Sequence, residues 1–209
     1  SEAIDAEVAE LLYRSGCRNM SYSPESGSPA VLERIKKKIH VDAVIDSIAA
    51  AQGQGMNIKC NIIFGFPGET LKEIFESYRF IIRMAWAGAY DVSVWAFSPY
   101  PGSELFAEIA GTGRIVMDDA YYDSLRSYAD PSKTVSYSEH FSDRTLKRLR
   151  SAGTALFYLT QWARRPHRPF KIVWNLMHGR QESRAEMGLY NVIRRSRLRL
   201  PVPSWPKND

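Results

Sequence analysis

Hydrophobic and polar positions change period along the chain in a way that predicts strands and helices in turn. Residues 56–64 alternate apolar with polar side chains, and residues 91–97 are rich in Val and aromatic side chains. Both patterns are typical of β-strands. A shorter extended segment is predicted at residues 20–23. The chain therefore has three predicted strands within its first hundred residues.

Helical spacing fills the intervals between these strands. Ser28 followed by Pro29 is a helix start, and Gly53 ends a second helix. Thr70 and Glu73 form a capping box that opens a third, longer helix. A further helix is predicted from Asp143. The predicted apolar faces of the two long helices are Leu71, Ile74, Phe75, Tyr78, Ile82 and Ala85, and then Leu146, Leu149, Ala152 and Leu156.

The order β–α–β–α–β predicts an α/β fold with a parallel sheet, because parallel strands need crossover connections of this length. Ligands in such folds bind beyond the carboxyl ends of the strands. Three turns rich in Gly, Pro and Ser follow the three strands, at residues 23–28, 65–70 and 98–103. The sequence therefore predicts a ligand site along one edge of the sheet.

The composition of the chain excludes some classes of protein. The chain has 209 residues, of which 44% are hydrophobic and 12% aromatic, which is enough for a packed core and excludes general disorder. Cys17 and Cys60 are the two cysteines. Two cysteines cannot form a multi-disulfide framework, so we expect a reducing, cytoplasmic location.

Charge divides the chain into two parts. Residues 164–199 hold ten Lys or Arg and two Glu, a local charge of +8. Because the whole chain carries +5 and residues 200–209 are neutral, residues 1–163 carry −3. The basic character therefore belongs to the tail.

Five short segments stand in order along the chain: residues 11–17 (LLYRSGC), 23–28 (SPESGS), 31–37 (VLERIKK), 62–70 (IIFGFPGET) and 99–105 (PYPGSEL). Together they resemble the radical S-adenosylmethionine (SAM) enzymes, and in particular the branch that often carries an N-terminal cobalamin-binding domain. The resemblance implies the C-terminal part of a partial (β/α)6 TIM-like barrel with parallel strands, plus a helical C-terminal extension. Residues 1–110 would form the barrel part, and residues 111–209 the mostly helical, basic extension.

The resemblance also implies which residues bind SAM. The carboxylate of Glu25, in its segment with Ser26, would accept hydrogen bonds from the ribose hydroxyls. Lys37 would face the methionine carboxylate. The adenine would lie against the second strand and be closed off by the third. The residues implied for these last two contacts are Ile63, Gly65, Phe97 and Ser98.

Each of these residues also has a purely structural interpretation. Glu25 is placed to cap the helix that follows it, and Lys37 lies in a Lys run that is typical of a solvated helix face. Gly65 supplies turn geometry, because Gly tolerates positive φ. Phe97 suits the hydrophobic core. The sequence leaves these alternatives open.

One element of the resemblance is missing. Radical SAM enzymes hold a [4Fe–4S] cluster with three thiolates in a Cys-x3-Cys-x2-Cys loop, whereas Cys17 and Cys60 stand 43 positions apart. We therefore expect no catalytic residue and no metal ligand in this segment. We expect the chain to be the C-terminal half of a longer enzyme, with its missing N-terminal half as partner, and to be inactive alone.

For the intact protein the resemblance implies SAM-dependent radical C–H chemistry, such as methyl transfer or oxidative cyclisation. The cofactors implied are SAM, a [4Fe–4S] cluster with ligands outside this chain, and cobalamin. The implied substrates are a small molecule, a lipid or a tetrapyrrole. The competing hypothesis is a non-catalytic α/β module whose basic tail binds a membrane surface or nucleic acid.

The basic tail has three interpretations of its own. The sequence favours a tail that packs on the barrel and keeps a solvated basic face. Peripheral contact with a membrane surface comes next, and nucleic acid is the least favoured partner.

Overall fold

The computed structural model describes residues 4–127, 133–178, 186–187 and 189–190. Within them strands and helices follow one another in the predicted alternation. The elements are α1 (Ala6–Arg14), β1 (Asn19–Glu25), α2 (Pro29–Arg34), α3 (Val41–Gly53), β2 (Asn57–Phe64), α4 (Leu71–Ala87), β3 (Asp91–Ala96), α5 (Glu104–Gly111), α6 (Asp119–Ser127), α7 (Asp143–Arg164) and α8 (His167–Met177).

The three strands form one sheet in the order β1-β2-β3, and both pairings are parallel. This confirms the predicted α/β class with parallel strands. Tyr22 pairs with Cys60 and Glu25 pairs with Ile62, so three steps along β1 match two along β2. This bulge lies at the carboxyl end of β1. Because all strands run the same way, their carboxyl ends share one edge of the sheet.

The two faces of β2 differ in chemistry. Ile58, Cys60, Ile62 and Phe64 are buried, whereas the alternate residues 57, 59, 61 and 63 are half-buried. Three of those four are polar. Parallel sheets covered on both faces are normally apolar on both. One face of this sheet therefore packs into the core and the other is built for polar contacts.

Helix α4 begins and ends as its sequence predicts. Thr70 and Glu73 form the capping box, and Gly88 ends the helix with φ +118°. Its buried face differs from the predicted one, because Ile74 and Ala85 are buried but the other members of the stripe are partly or largely exposed. The prediction is wrong for Leu71, Phe75 and Ile82, which are exposed. The buried face is Glu73, Ile74, Ser77, Phe80, Ile81, Met84 and Ala85.

Helix α7 also begins where it is predicted but turns a different face inward. Leu146 is buried as the stripe requires, but Ala152 is exposed, while Arg150, Gly153 and Phe157, which lie outside the stripe, are buried. Arg150 donates from Nε to the Val94 carbonyl of β3 at 3.0 Å and from Nη1 to Thr134 Oγ1 at 2.7 Å. A buried arginine and a glycine carry no apolar signal, so the periodicity could not identify this face.

The chain divides into two compact units between Phe157 and Tyr158. The first unit holds the sheet. The second holds the end of α7, where the Tyr158 and Trp162 rings lie 5.9 Å apart, and α8. The boundary at residue 110 stays a prediction. Residues 194–199, the last basic cluster of the tail, lie outside the described part of the chain. None of the helices in the described part is long and apolar enough to cross a membrane.

Candidate functional site

The first turn at the carboxyl edge of the sheet carries an ion pair. Lys37 Nζ donates to Glu25 Oε1 at 2.7 Å, and the two side chains are 33% and 28% exposed. Glu25 has φ +72°, a left-handed conformation that is uncommon for any residue other than Gly. The bulge and this conformation set the direction of the Glu25 side chain. The structure thus brings together the two predicted SAM-binding charges, and Glu25 makes no cap to α2.

The end of α2 explains how Lys37 reaches Glu25. Lys36 N donates to the Glu33 carbonyl at 3.0 Å and Lys37 N to the Leu32 carbonyl at 2.8 Å. This is the hydrogen-bond pattern of a Schellman motif, with Lys36 at φ +56° in the position that Gly usually takes. The reversal directs Lys37 back toward β1, while Lys36 pairs with the exposed Glu104.

The backbone after Glu25 is anchored on α4. The Ser26 and Ser77 hydroxyls lie 3.1 Å apart, and Gly27 N donates to Ser77 Oγ at 2.9 Å. A Cβ atom on Gly27 would stand 2.4 Å from Phe80 Cβ and 2.9 Å from the Ser77 Cα atom. Only glycine fits this approach. Ser26, a predicted SAM-binding residue, is buried and orders the turn from within.

The second turn is held by a buried carboxylate. Glu69 Oε2 accepts hydrogen bonds from Gly65 N at 2.5 Å and Phe66 N at 3.2 Å, and its Oε1 is buried without a hydrogen-bond partner in the described structure. Burial raises the pKa of Glu69 to about 7, although the two backbone N–H groups oppose this. Gly65 has φ +88°, so its predicted turn geometry is present.

Two further charges hold this turn from outside. Arg34 donates to the Pro67 carbonyl at 3.3 Å and to Glu73 Oε1 at 2.8 Å. Burial opposes ionisation of Glu73, but the Thr70 N–H and Arg34 outweigh it and lower the pKa of Glu73. On the other side, Gly68 N donates to Glu139 Oε2 at 2.8 Å. The turn is therefore rigidly positioned next to the β1 edge.

The third turn contributes packing more than polar groups. Phe97 N donates to the Phe64 carbonyl at 2.8 Å, which continues the sheet by one residue. The Phe97 ring lies 5.1 Å from that of Phe66, in a core cluster with Val31 and Ile109. Phe97 thus lies in the hydrophobic core, as its structural interpretation in the sequence analysis expected. Ser98 is half-buried directly after it.

The polar face of the sheet holds a network that the sequence analysis missed. Asn61 Nδ2 donates to Ser21 Oγ at 3.0 Å and to Ser23 Oγ at 3.2 Å. Trp95 Nε1 donates to Asn61 Oδ1 at 3.2 Å. Ile63, the predicted adenine contact, lies on the same side of β2 as Asn61. The signal available was the polar alternation of residues 57–61, which marks a solvated rather than a covered face.

The thiols do not fit an iron–sulfur cluster. Cys17 and Cys60 are both free. Burial, together with the charge of Asp91, raises the pKa of the Cys60 thiol to about 12. The two cysteines are also fewer than the three thiolates that the cluster needs. No group of three His, Cys, Asp or Glu able to hold a metal ion occurs among residues 4–127 and 133–178.

The site thus presents a carboxylate and an ammonium group, partly open to solvent, beside a polar sheet face. Carboxylate oxygens accept hydrogen bonds from hydroxyls, and an ammonium group binds carboxylates. Such a pair suits a ligand that carries both groups. Gly65, at the end of the neighbouring strand, is itself buried, and a Cβ atom there would stand 2.8 Å from Leu146 Cδ2 of α7.

Comparison with known proteins gives one family and several relatives. Residues 1–81 match the family model of the radical SAM superfamily. An uncharacterized methyltransferase of Pyrococcus horikoshii is 29% identical over 73% of this chain and 31% of its own length. The cytidylyl-2-hydroxyethylphosphonate methyltransferase of Streptomyces wedmorensis is 31% identical over 57% of this chain and 23% of its own length. The bacteriochlorophyllide d C-12(1)-methyltransferase of Chlorobaculum tepidum is 30% identical over 61% of this chain and 27% of its own length. The chain spans less than a third of the length of each of these relatives.

Proposed function

Because residues 1–81 of this chain match the family model of the radical SAM superfamily, we propose that the chain is the part of a radical SAM methyltransferase that binds the ribose and the carboxylate of SAM. The proposed methyltransferase activity follows the names of the three relatives. The observation that carries the proposal is the Glu25–Lys37 ion pair at the carboxyl edge of the sheet.

The chemistry of the pair supports this role. The Glu25 carboxylate has one oxygen on Lys37 and further acceptor capacity for ribose hydroxyls. The Lys37 ammonium has three protons and can pair with the SAM carboxylate while it still contacts Glu25. Before ligand binding, the two charges neutralise one another at a partly buried position. The left-handed backbone of Glu25 is strained, and strained residues of this kind cluster at ligand sites.

The iron–sulfur cluster is proposed to be held by a part of the protein outside this chain. SAM, when bound beside a [4Fe–4S] cluster, supplies radical and methyl-transfer chemistry in this superfamily. Cys17 and Cys60 do not fit the cluster, so we propose that its ligands lie outside this chain and assign no catalytic step to the residues described. Cobalamin as an additional cofactor stays a prediction from the resemblance.

The polar network on the sheet is proposed to face the methyl acceptor. Ser21, Ser23 and Asn61 offer neutral hydrogen-bonding groups on the face opposite the buried one, and Trp95 donates its single indole N–H to Asn61. These groups favour an acceptor that carries hydrogen-bonding groups of its own. The relatives' names include a cytidylyl phosphonate and a bacteriochlorophyllide, both of which carry such groups.

Anaerobic assay of the intact protein tests the proposal. After reconstitution with iron and sulfide, the intact protein is expected to show iron–sulfur absorbance, to bind SAM and to consume it. The 209-residue chain alone is expected to leave SAM uncleaved. An intact, reconstituted protein that neither binds nor consumes SAM would refute the proposal.

A further inference from the structure

Helix α8 exposes an apolar face along its whole length. Phe170, Val173, Trp174 and Met177 occupy positions i, i+3, i+4 and i+7, and their exposed fractions are 76%, 56%, 59% and 64%. Positions with this spacing share one side of a helix. Single exposed apolar residues are ordinary, but a continuous set of large ones marks an interaction surface.

The opposite side of α8 is already filled. Ile172, Asn175 and Leu176 are buried, and Asn175 Nδ2 donates to Glu186 Oε1 at 2.8 Å. The exposed face is therefore a second apolar face, separate from the buried one. The Trp174 ring also stacks on His178 at 4.1 Å, which orients it at the helix end.

Positive charge lies at the N-terminal end of this face. Residues 164–178 include Arg164, Arg165, Arg168 and Lys171 and contain no Asp or Glu. Lys171 and His167 lie beside Phe170 on the helix surface and are exposed. Burial first, and then the neighbouring charge of Arg164, lowers the pKa of Arg165. The surroundings are complementary to an anionic partner.

We propose that α8 is an interfacial helix that lies in the surface of an anionic lipid bilayer, with Phe170 and Trp174 at the headgroup level. The combination of a Trp- and Phe-bearing apolar face with Lys and Arg beside it is what anionic bilayers bind. A nucleic acid would use the cations but leave the apolar face without a partner. A second copy of the chain would bring two basic segments together and be repelled.

Vesicle flotation tests the proposal on the whole chain. The protein is expected to float with phosphatidylcholine vesicles that contain phosphatidylglycerol, to remain unbound with phosphatidylcholine alone, and to lose affinity as salt rises. Phe170→Ser with Trp174→Ser should lower the affinity at least about tenfold, since apolar burial contributes to binding. Lys171→Gln should lower the affinity less and weaken its salt dependence.

The matched control is Trp86→Ser on α4. Trp86 is 59% exposed, the same fraction as Trp174, but lies away from the basic segment in the chain. Its substitution should leave flotation unchanged, and circular dichroism should show that every variant is folded.

Four results would overturn the inference, of which three concern vesicles and oligomeric state. They are no flotation with phosphatidylglycerol, equal losses in the Trp86 and Trp174 variants, and a dimer that Trp174→Ser converts to a monomer. RNA binding that persists in the Phe170/Trp174 variant without flotation would also assign the tail to nucleic acid instead. None of these readouts depends on SAM, so the proposed function stands or falls separately.

Discussion

Lys37 Nζ lies 2.7 Å from Glu25 Oε1, and each partner is placed by a residue in the left-handed conformation. Glu25 itself has φ +72°, and Lys36, which precedes Lys37, has φ +56°. Among the residues that the structure describes, these are the only two other than glycine with positive φ. Backbone strain is thus concentrated at one ion pair, which makes that pair the first target for experiment.

Glu25→Gln removes the charge of this carboxyl but keeps its shape. We expect the SAM affinity of the intact protein to fall about 5- to 150-fold, because a hydrogen bond to a charged group contributes about 1–3 kcal/mol. Isothermal titration calorimetry measures this. The matched control is Glu104→Gln, which removes the exposed partner of the adjacent Lys36 and should leave the affinity unchanged. Equal affinities of the Glu25 variant and the unmodified protein would exclude Glu25 from the site.

Lys36→Gly should stabilise the fold. Lys36 occupies the left-handed position of the Schellman motif at φ +56°, where a side chain is disfavoured and Gly is not. Loss of the exposed pair with Glu104 costs little. The free energy of unfolding in urea should rise by about 0.5–1 kcal/mol. A decrease would mean that the strain at this turn is smaller than the φ value implies.

Gly27→Ala should destabilise the protein by about 1–3 kcal/mol, because the new methyl group meets the Ser77 Cα atom and the Glu76 carbonyl of α4 at 2.9 and 3.1 Å. The same substitution at Gly53, in α3, finds nothing within 4 Å and should stabilise by about 0.5–1 kcal/mol. Thermal unfolding of the two variants compares them directly. If both changed stability equally, the close contact of α4 with the first turn would be wrong.

Arg150→Met should cost about 2–3 kcal/mol. The substitution keeps much of the buried stem but removes the donors to the Val94 carbonyl and Thr134 Oγ1, two acceptors in the interior. Arg148→Met, at an exposed position on the same helix, should change the free energy of unfolding by less than about 0.5 kcal/mol. Urea titration of both variants gives the difference. A small effect at Arg150 would contradict its role in joining α7 to β3.

The raised pKa of Glu69 predicts that the stability of the fold decreases as the pH rises. Its pKa is raised from 4.5 to about 7 by burial, so between these values the folded protein holds the proton more tightly than the unfolded chain. The contribution of this proton to the free energy of unfolding is fully present below a pH of about 4.5. It is lost as the pH rises to about 7 and above, and the loss amounts to up to about 3 kcal/mol. The lowered pKa values of Glu73 and Glu139 act in the opposite sense and below this range.

Urea unfolding at pH values of about 5 and 7.5 tests this dependence. Glu69→Gln should flatten the change between the two conditions, because the variant has no proton to lose at this position. Glu108→Gln, at an exposed position on α5, should keep the slope of the unmodified protein. An unchanged slope in the Glu69 variant would assign the pH dependence to another group.

The three strands, the capping box and the three chemically distinctive turns could be predicted because each depends on neighbours within a few residues. Alternation of apolar and polar residues marked β2, and Thr70 with Glu73 marked the start of α4. The buried faces of α4 and α7 could not be predicted in full. They depend on Gly27, Arg150 and Gly153, whose small size or charge carries no apolar signal.

The same distinction holds for the candidate site. The sequence by itself determined that Glu25, Lys37 and Gly65 follow strands or their helices, and so lie near one sheet edge. Only the tertiary structure decided that Lys37 meets Glu25, that Phe97 enters the core, and that α8 turns Phe170 and Trp174 outward. The physical reason is that periodicity reports which residues share a face, whereas burial and pairing depend on what the rest of the chain places against that face.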